Sequence, residues 1–232
     1  MTCLIGIDCA TKPRKVGLAR GHLDGVRVIA DECLCGAPNA HPAEIVASWI
    51  DESETALLAL DAPLGWASAL GPSLASHQAG IAFHVPPHSL FRRLTDDEIA
   101  ARLGKRPLEV GANLISRTSV AAVDLLGKIR LMTGEPFPLA WSWPSSTRVS
   151  AIEVYPAATR IAHGAPAGAG RVDGITSLRC DLDLGRLSVD ARDSLVCLVA
   201  AADFVLGRAI PPIAVEQQIL QEGWIWAASR GS

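Results

Sequence analysis

Five acidic residues stand out by their setting. Asp8 ends the apolar run Cys3-Leu4-Ile5-Gly6-Ile7, and Asp61 ends the run Ala56-Leu57-Leu58-Ala59-Leu60. Glu153 lies inside the short apolar stretch Ala151-Ile152-Glu153-Val154-Tyr155. Asp190 and Asp193 open the last strongly apolar segment, three residues apart and so on one face of a helix. A lone Asp where a strand ends is ordinarily a turn cap. An acid within an apolar strand needs a partner or a cation if buried, or water if it lies on an edge. Carboxylates gathered at one place repel one another unless a divalent cation neutralises them, and hard oxygen ligands suit Mg²⁺ or Mn²⁺. Two such ions, about 3.5–4 Å apart, activate a water and stabilise the leaving oxygen of a phosphodiester.

The elements that must position these acids read as an α/β sheet. The first run, the turn-forming Lys12-Pro13-Arg14-Lys15 and the following Val16-Gly17-Leu18-Ala19 have the pattern of a hairpin, and residues 25–33 that of a third strand. A loop at 36–41 precedes a helix over 42–50, with Pro42 in its first turn and Ile45, Val46, Trp49 and Ile50 on one face. The nearly continuous apolar run 56–60 suits a strand buried on both faces. With the first strand central and this one parallel beside it, Asp61 falls next to Asp8, at the strand ends where α/β sheets place their ligands.

Residues 62–111 do not read as regular core and form an insertion or lid. Thr95 and Glu98 are spaced as a capping box for a short helix ending at Gly104. A longer helix is expected over 114–132, with Ile115, Val120, Val123, Leu126 and Ile129 facing the core, then a loop over 133–149. Pro156 can open a helix after the Glu153 strand, and a Gly/Ala-rich segment follows at 164–170. The last long helix spans about 189–206 and is apolar on almost every side, hence deeply packed. Asp190 is the better N-cap of that helix and Asp193 the better ligand, although either can serve. Glu222–Trp226 is a further packed or edge segment.

Composition narrows the classes. The 232 residues are 49% hydrophobic and 19% charged, which fits one domain, 1–232, with a substantial core. No apolar run approaches the roughly 18 residues of a membrane span. The N-terminus lacks a basic-then-apolar leader pattern, so a soluble cytoplasmic protein is the expectation. Six cysteines without a C-x-x-C read as buried free thiols. A net charge of -3 argues against coating nucleic acid by electrostatics alone. There is no G-x-S-x-G elbow, and His84 and His88 sit in a Pro-rich loop that reads as solvated.

The motifs Gly6-Ile7-Asp8, Leu60-Asp61-Ala62-Pro63-Leu64-Gly65, Arg93-Leu94-Thr95-Asp96, Glu153-Val154-Tyr155-Pro156 and Asp190-x-x-Asp193 occur in that order across most of the chain. In this the sequence resembles the predicted ribonuclease H-like nucleases, a family of unknown function in the ribonuclease H-like superfamily. The resemblance implies a mixed sheet of about five strands flanked by helices, with the insertion after the fourth strand. It implies metal-binding roles for Asp8, Asp61 and an acid of the last helix, Asp190 or Asp193, with Glu153 a further catalytic candidate beside Asp8, Asp61 and Asp193. Arg93 is expected to contact a phosphate or pair with a site carboxylate, and Thr95 and Lys12 are the other candidates for substrate contact.

The leading expectation is a Mg²⁺- or Mn²⁺-dependent nuclease or phosphodiesterase acting on a nucleic acid or other phosphodiester, with no membrane partner. A non-catalytic nucleic-acid or protein binding module on the same fold is the alternative. A third reading rests on Asp8-Cys9-Ala10-Thr11-Lys12, which is similar to the first hairpin of actin-like ATPases and sugar kinases. Those enzymes close two such domains around ATP.

Overall fold

The computed structural model describes residues 2–37, 39–111, 113–212 and 216–231, with only the backbone at Asn113; Pro38, in the loop expected at 36–41, lies outside them. In chain order the elements are β1 (Thr2–Asp8), β2 (Gly17–Asp24), β3 (Arg27–Cys35), α1 (Pro42–Asp51), β4 (Thr55–Asp61), α2 (Leu70–Ala75), α3 (Pro87–Phe91) and α4 (Leu94–Leu103). They continue with α5 (Asn113–Thr133), β5 (Val149–Glu153), α6 (Pro156–Ala162), β6 (Leu178–Cys180), α7 (Val189–Val205) and α8 (Gln217–Glu222).

The strands form one mixed sheet in the order β5-β4-β1-β2-β3-β6. β1, β2 and β3 run antiparallel in turn, β4 lies parallel to β1, and β5 lies parallel to β4. The sheet has six strands rather than about five. The extra one, β6, pairs only three residues with β3, too few to show an alternating pattern in the sequence.

Side chains alternate across the sheet, so each strand feeds two cores. Leu4, Ala19, Leu57, Ala59 and Ile152 pack on α7, whereas Ile5, Ile7, Leu18, Leu58, Leu60 and Ala151 pack with residues of α1 and α5. Each buried Leu or Ile contributes roughly 1.5–3 kcal/mol. The cores fix which way the terminal acids face. Asp8 and Asp61 are direct partners across β1 and β4, in step with Leu4, Leu57 and Ala59, and so face α7. Glu153 is the partner of Leu60 and shares the opposite face.

Two glycines let α7 lie close against this sheet. A Cβ at Gly6 would come within 2.1 Å of the Ser194 carbonyl oxygen, and one at Gly17 within 2.0 Å of the Asp190 carbonyl oxygen. Any larger residue at either position lifts the helix. This contact brings the first turns of α7 to the strand end that carries Asp8.

Three local expectations are corrected. Helix α4 begins two residues earlier than a Thr95 cap requires: Asp96 Oδ2 accepts the Arg93 backbone N–H at 3.0 Å, and Thr95 lies within the first turn. Glu98 pairs along the helix with Arg102 instead. On α5, Val120 and Val123 are exposed, and Ala122, Leu125, Leu126 and Ile129 form the buried i, i+3, i+4, i+7 face. The cap of α7 is Ser188, whose Oγ accepts the Ala191 N–H at 3.1 Å, which frees Asp190 from that role. All six cysteines are free, but only Cys197 is fully buried. Among the described residues, no helix is long and apolar enough to cross a membrane.

Candidate functional site

Asp8 and Asp61 end adjacent parallel strands in register and turn their side chains to the same face. Burial, then repulsion from Asp61, Asp193 and Asp190, pushes the Asp8 carboxyl up to about 9. Burial, then repulsion from Asp193 and Glu153, pushes Asp61 up to about 7. Arg160 opposes both shifts without cancelling either. Among the described residues, no donor hydrogen-bonds to either carboxylate. Two crowded, unpartnered carboxylates at a strand end are thus held together by the sheet against their own repulsion.

The α7 acids approach this pair but are already engaged. Asp193 Oδ1 accepts a hydrogen bond from Arg160 and another from the Gly170 N–H at 2.8 Å. Arg160 in turn donates from Nε to the Arg171 carbonyl at 2.8 Å, so the pair pins the Gly/Ala-rich segment to α7. Asp190 Oδ2 stands 3.5 Å from Lys15 Nζ, at the turn after β1. Lys12, in the same turn, is exposed.

Glu153 belongs to a different assembly. Arg93 is 1% exposed and donates from NH1 and NH2 to the two oxygens of Glu153, at 2.9 and 2.8 Å. It also donates to both oxygens of Asp96, at 2.9 and 3.3 Å, and to the Glu222 carbonyl at 3.1 Å. Glu153 Oε2 accepts the Leu64 N–H at 2.9 Å as well. Glu222 completes the clamp by accepting the N–H groups of Ser68 and Leu94. Burial would lower the Arg93 pKa, but Glu153 and Asp96 outweigh it and hold the guanidinium charged.

Three sequence-level candidates are therefore already engaged, although Arg93 and Glu153 line the same cavity as Asp61, and Glu153 repels Asp61. Glu153 points to the other face with both oxygens taken, and Arg93 is paired with a carboxylate, one of its two expected roles. Thr95 is fully buried, its Oγ1 accepting the Ile225 N–H at 2.8 Å, so it presents no group to a substrate. The reason is common to all three: the insertion and the C-terminal tail fold over this end of β5 and exclude solvent. Arg160 is the residue the sequence reading missed. Its signal was a single charged side chain in the otherwise uncharged helix Pro156-Ala157-Ala158-Thr159-Arg160-Ile161-Ala162, the same signal that marks the acids.

The donor set suits a hard divalent cation at Asp8 and Asp61. Mg²⁺ is commonly held by one or two carboxylates, with substrate phosphate completing its shell. A ready cage is a different matter: among the described residues, no three His, Cys, Asp or Glu side chains converge as a ligand set. Beside Asp61 opens a mainly apolar cavity of about 230 Å³, walled by Pro107, Leu108, Ile115 and Tyr155 and bordered by the Arg93–Glu153 pair.

No family model matches the chain, and no curated protein does. Among solved structures, T. thermophilus RuvC in complex with Holliday junction substrate aligns over 91% of this chain and 100% of that one, at 15% identity and a TM-score of 0.36. That similarity is too low to bear on activity. The sheet is more direct: a central first strand, an antiparallel meander on one side, and two parallel strands ending in Asp61 and Glu153 on the other. This is the mixed sheet flanked by helices that the ribonuclease H-like resemblance implied. On it, Asp8 and Asp61 occupy neighbouring strand ends, and α7 supplies Asp190 and Asp193 from the facing layer.

Proposed function

We propose that this chain is a phosphodiesterase acting on nucleic acid, with Asp8 and Asp61 holding a divalent cation, Mg²⁺ or Mn²⁺. The observation that carries the reading is the in-register pair of carboxylates, half-buried, crowded and without hydrogen-bond donors among the described residues. When bound, the ion supplies Lewis-acid activation of water and phosphate and offsets charge developing in the transition state. The remaining work falls to the chain. The β1–β4 register fixes the spacing of the two carboxylates, and Gly6 and Gly17 set the distance to α7. Arg160 neutralises Asp193, so the site carries less negative charge toward an incoming phosphate than four acids imply. The cavity beside Asp61 gives an adjoining group of the substrate an apolar, water-poor wall.

Arg160 also favours a second reading. Its guanidinium does for Asp193 what a cation would do, which suits a binding module that has kept the fold without the chemistry. Cleavage of a labelled oligonucleotide in Mg²⁺ or Mn²⁺ separates the two. The phosphodiesterase reading expects cleavage by wild type and none by Asp8→Asn. Undiminished cleavage by Asp8→Asn removes the assignment, and metal-independent binding without cleavage selects the module.

A further inference from the structure

A second cavity, of about 520 Å³, is walled by Gly170, Arg171, Asp173, Cys180, Leu184 and Arg192 among others. Its charges do not cancel. Arg171 and Asp173 neutralise one another through two hydrogen bonds, at 3.1 and 2.6 Å. Arg192 is different. Its Nε is buried and has no hydrogen-bond partner, and no ion pair engages it among the described residues. The acids beside it on α7 are engaged elsewhere, Asp190 by Lys15 and Asp193 by Arg160 and the Gly170 N–H. The cavity thus holds one uncompensated positive charge whose planar N–H groups match an oxyanion.

The wall is shaped to keep Arg192 there. Gly170 has a φ of +70°, and a Cβ on it would lie 3.2 Å from Val189 Cγ1 and 3.4 Å from Arg192 Nε. Glycine lets the chain pass over the guanidinium stem while its own N–H bonds to Asp193. Nε itself is sealed in the wall, so an anion in the cavity would be met by the terminal N–H groups of the guanidinium.

We propose that this cavity binds a phosphate group through Arg192. Arg192 and Asp193 are consecutive on α7, and Gly170 touches both, so the phosphate site adjoins the acid group. Resting on the phosphodiesterase reading, the ligand is a backbone phosphate neighbouring the scissile one, which makes the substrate a strand of several nucleotides rather than a mononucleotide.

The test is binding without metal, in EDTA. A short fluorescein-labelled single-stranded oligonucleotide is followed by anisotropy over a range of salt, and inorganic phosphate by phosphorus NMR. Wild type is expected to bind both, the oligonucleotide more tightly. Arg192→Gln should weaken oligonucleotide binding by roughly tenfold or more, the loss of one charged hydrogen-bonding group. It should also flatten the slope of log K against log salt by about 0.7, one phosphate contact on a single strand. Asp173→Asn, which removes the competing carboxylate, should tighten binding. Phosphate bound but oligonucleotide not favoured would keep the anion site and overturn the strand assignment. Unchanged affinity and slope in an Arg192→Gln protein with the wild-type unfolding midpoint, or no binding of either probe by wild type, would overturn the proposal. Absence of metal-dependent cleavage by wild type would count against the phosphodiesterase reading and leave the anion site standing.

Discussion

Two groups of charge sit at the same end of this sheet, one fully buried and one half-buried on the opposite face, and they have been resolved in opposite ways. On the α1/α5 face, Arg93 saturates Glu153 and Asp96, and Leu64 contributes a backbone N–H. On the α7 face, Asp8 and Asp61 stand side by side without hydrogen-bond donors among the described residues, and burial pushes both toward protonation. The first group spends its polar atoms on holding the insertion and the tail in place. The second leaves its oxygens for something that arrives. A closed network reports on structure, whereas an open one reports on function, and residue type alone does not distinguish them.

That contrast can be broken most severely at the clamp. Arg93→Ala leaves Glu153 and Asp96 buried without a partner, and a loss of about 3–5 kcal/mol of stability is expected. Chemical denaturation measures it. Metal affinity of whatever remains folded should be unchanged, and a clamp variant that lost metal binding while folded would merge the two groups.

Next in size is Gly6→Ala, where a methyl meets the Ser194 carbonyl 2.1 Å away. Lifting α7 from β1 should cost about 1–3 kcal/mol and, unlike Arg93→Ala, weaken metal binding by moving Asp190 and Asp193 from Asp8. Calorimetry on the folded variant tests the second effect.

Of opposite sign, and read in pH rather than in a lost contact, is the effect of the acid pair itself. Both folded carboxyls sit above their ordinary value of 3.8, Asp61 at about 7 and Asp8 at about 9. The native state therefore keeps protons that the unfolded chain releases, and stability without metal falls as pH rises from about 4 through these values. Wild type should melt lower at about pH 8 than at about pH 5, and Asp8→Asn with Asp61→Asn should remove that decline. Divalent cation should restore stability to wild type at the higher pH, and to the double variant not at all.

Thr95→Val strands the Ile225 N–H and should cost roughly 1–3 kcal/mol, within the range of Gly6→Ala, but without touching oligonucleotide binding. An altered affinity there would return Thr95 to the substrate surface.

The register of Asp8 with Asp61 was legible because both runs are short, apolar and ended by an acid, so a parallel pairing aligns them. The facing of Glu153 was not. Its neighbours Ile152 and Val154 are as apolar as Ala151, and only the pairing with Leu60 shows which core it joins. The Thr95–Glu98 spacing satisfies a capping box, but the tail that claims the Thr95 hydroxyl is 130 residues away. Ser188 was overlooked as the α7 cap because Asp190 competes for that role in the sequence. Arg160 and Arg192 were hidden because what sets them apart, a partner taken or a partner lacking, exists only after folding.

The most direct measurement is Mn²⁺ and Mg²⁺ titration by calorimetry on wild type and on Asp8→Asn with Asp61→Asn, each with and without a single-stranded oligonucleotide. Metal binding by wild type, strengthened by the oligonucleotide and lost in the double variant, is the result the open carboxylate pair predicts. Equal binding by both proteins, or none by folded wild type even with the oligonucleotide present, would contradict it.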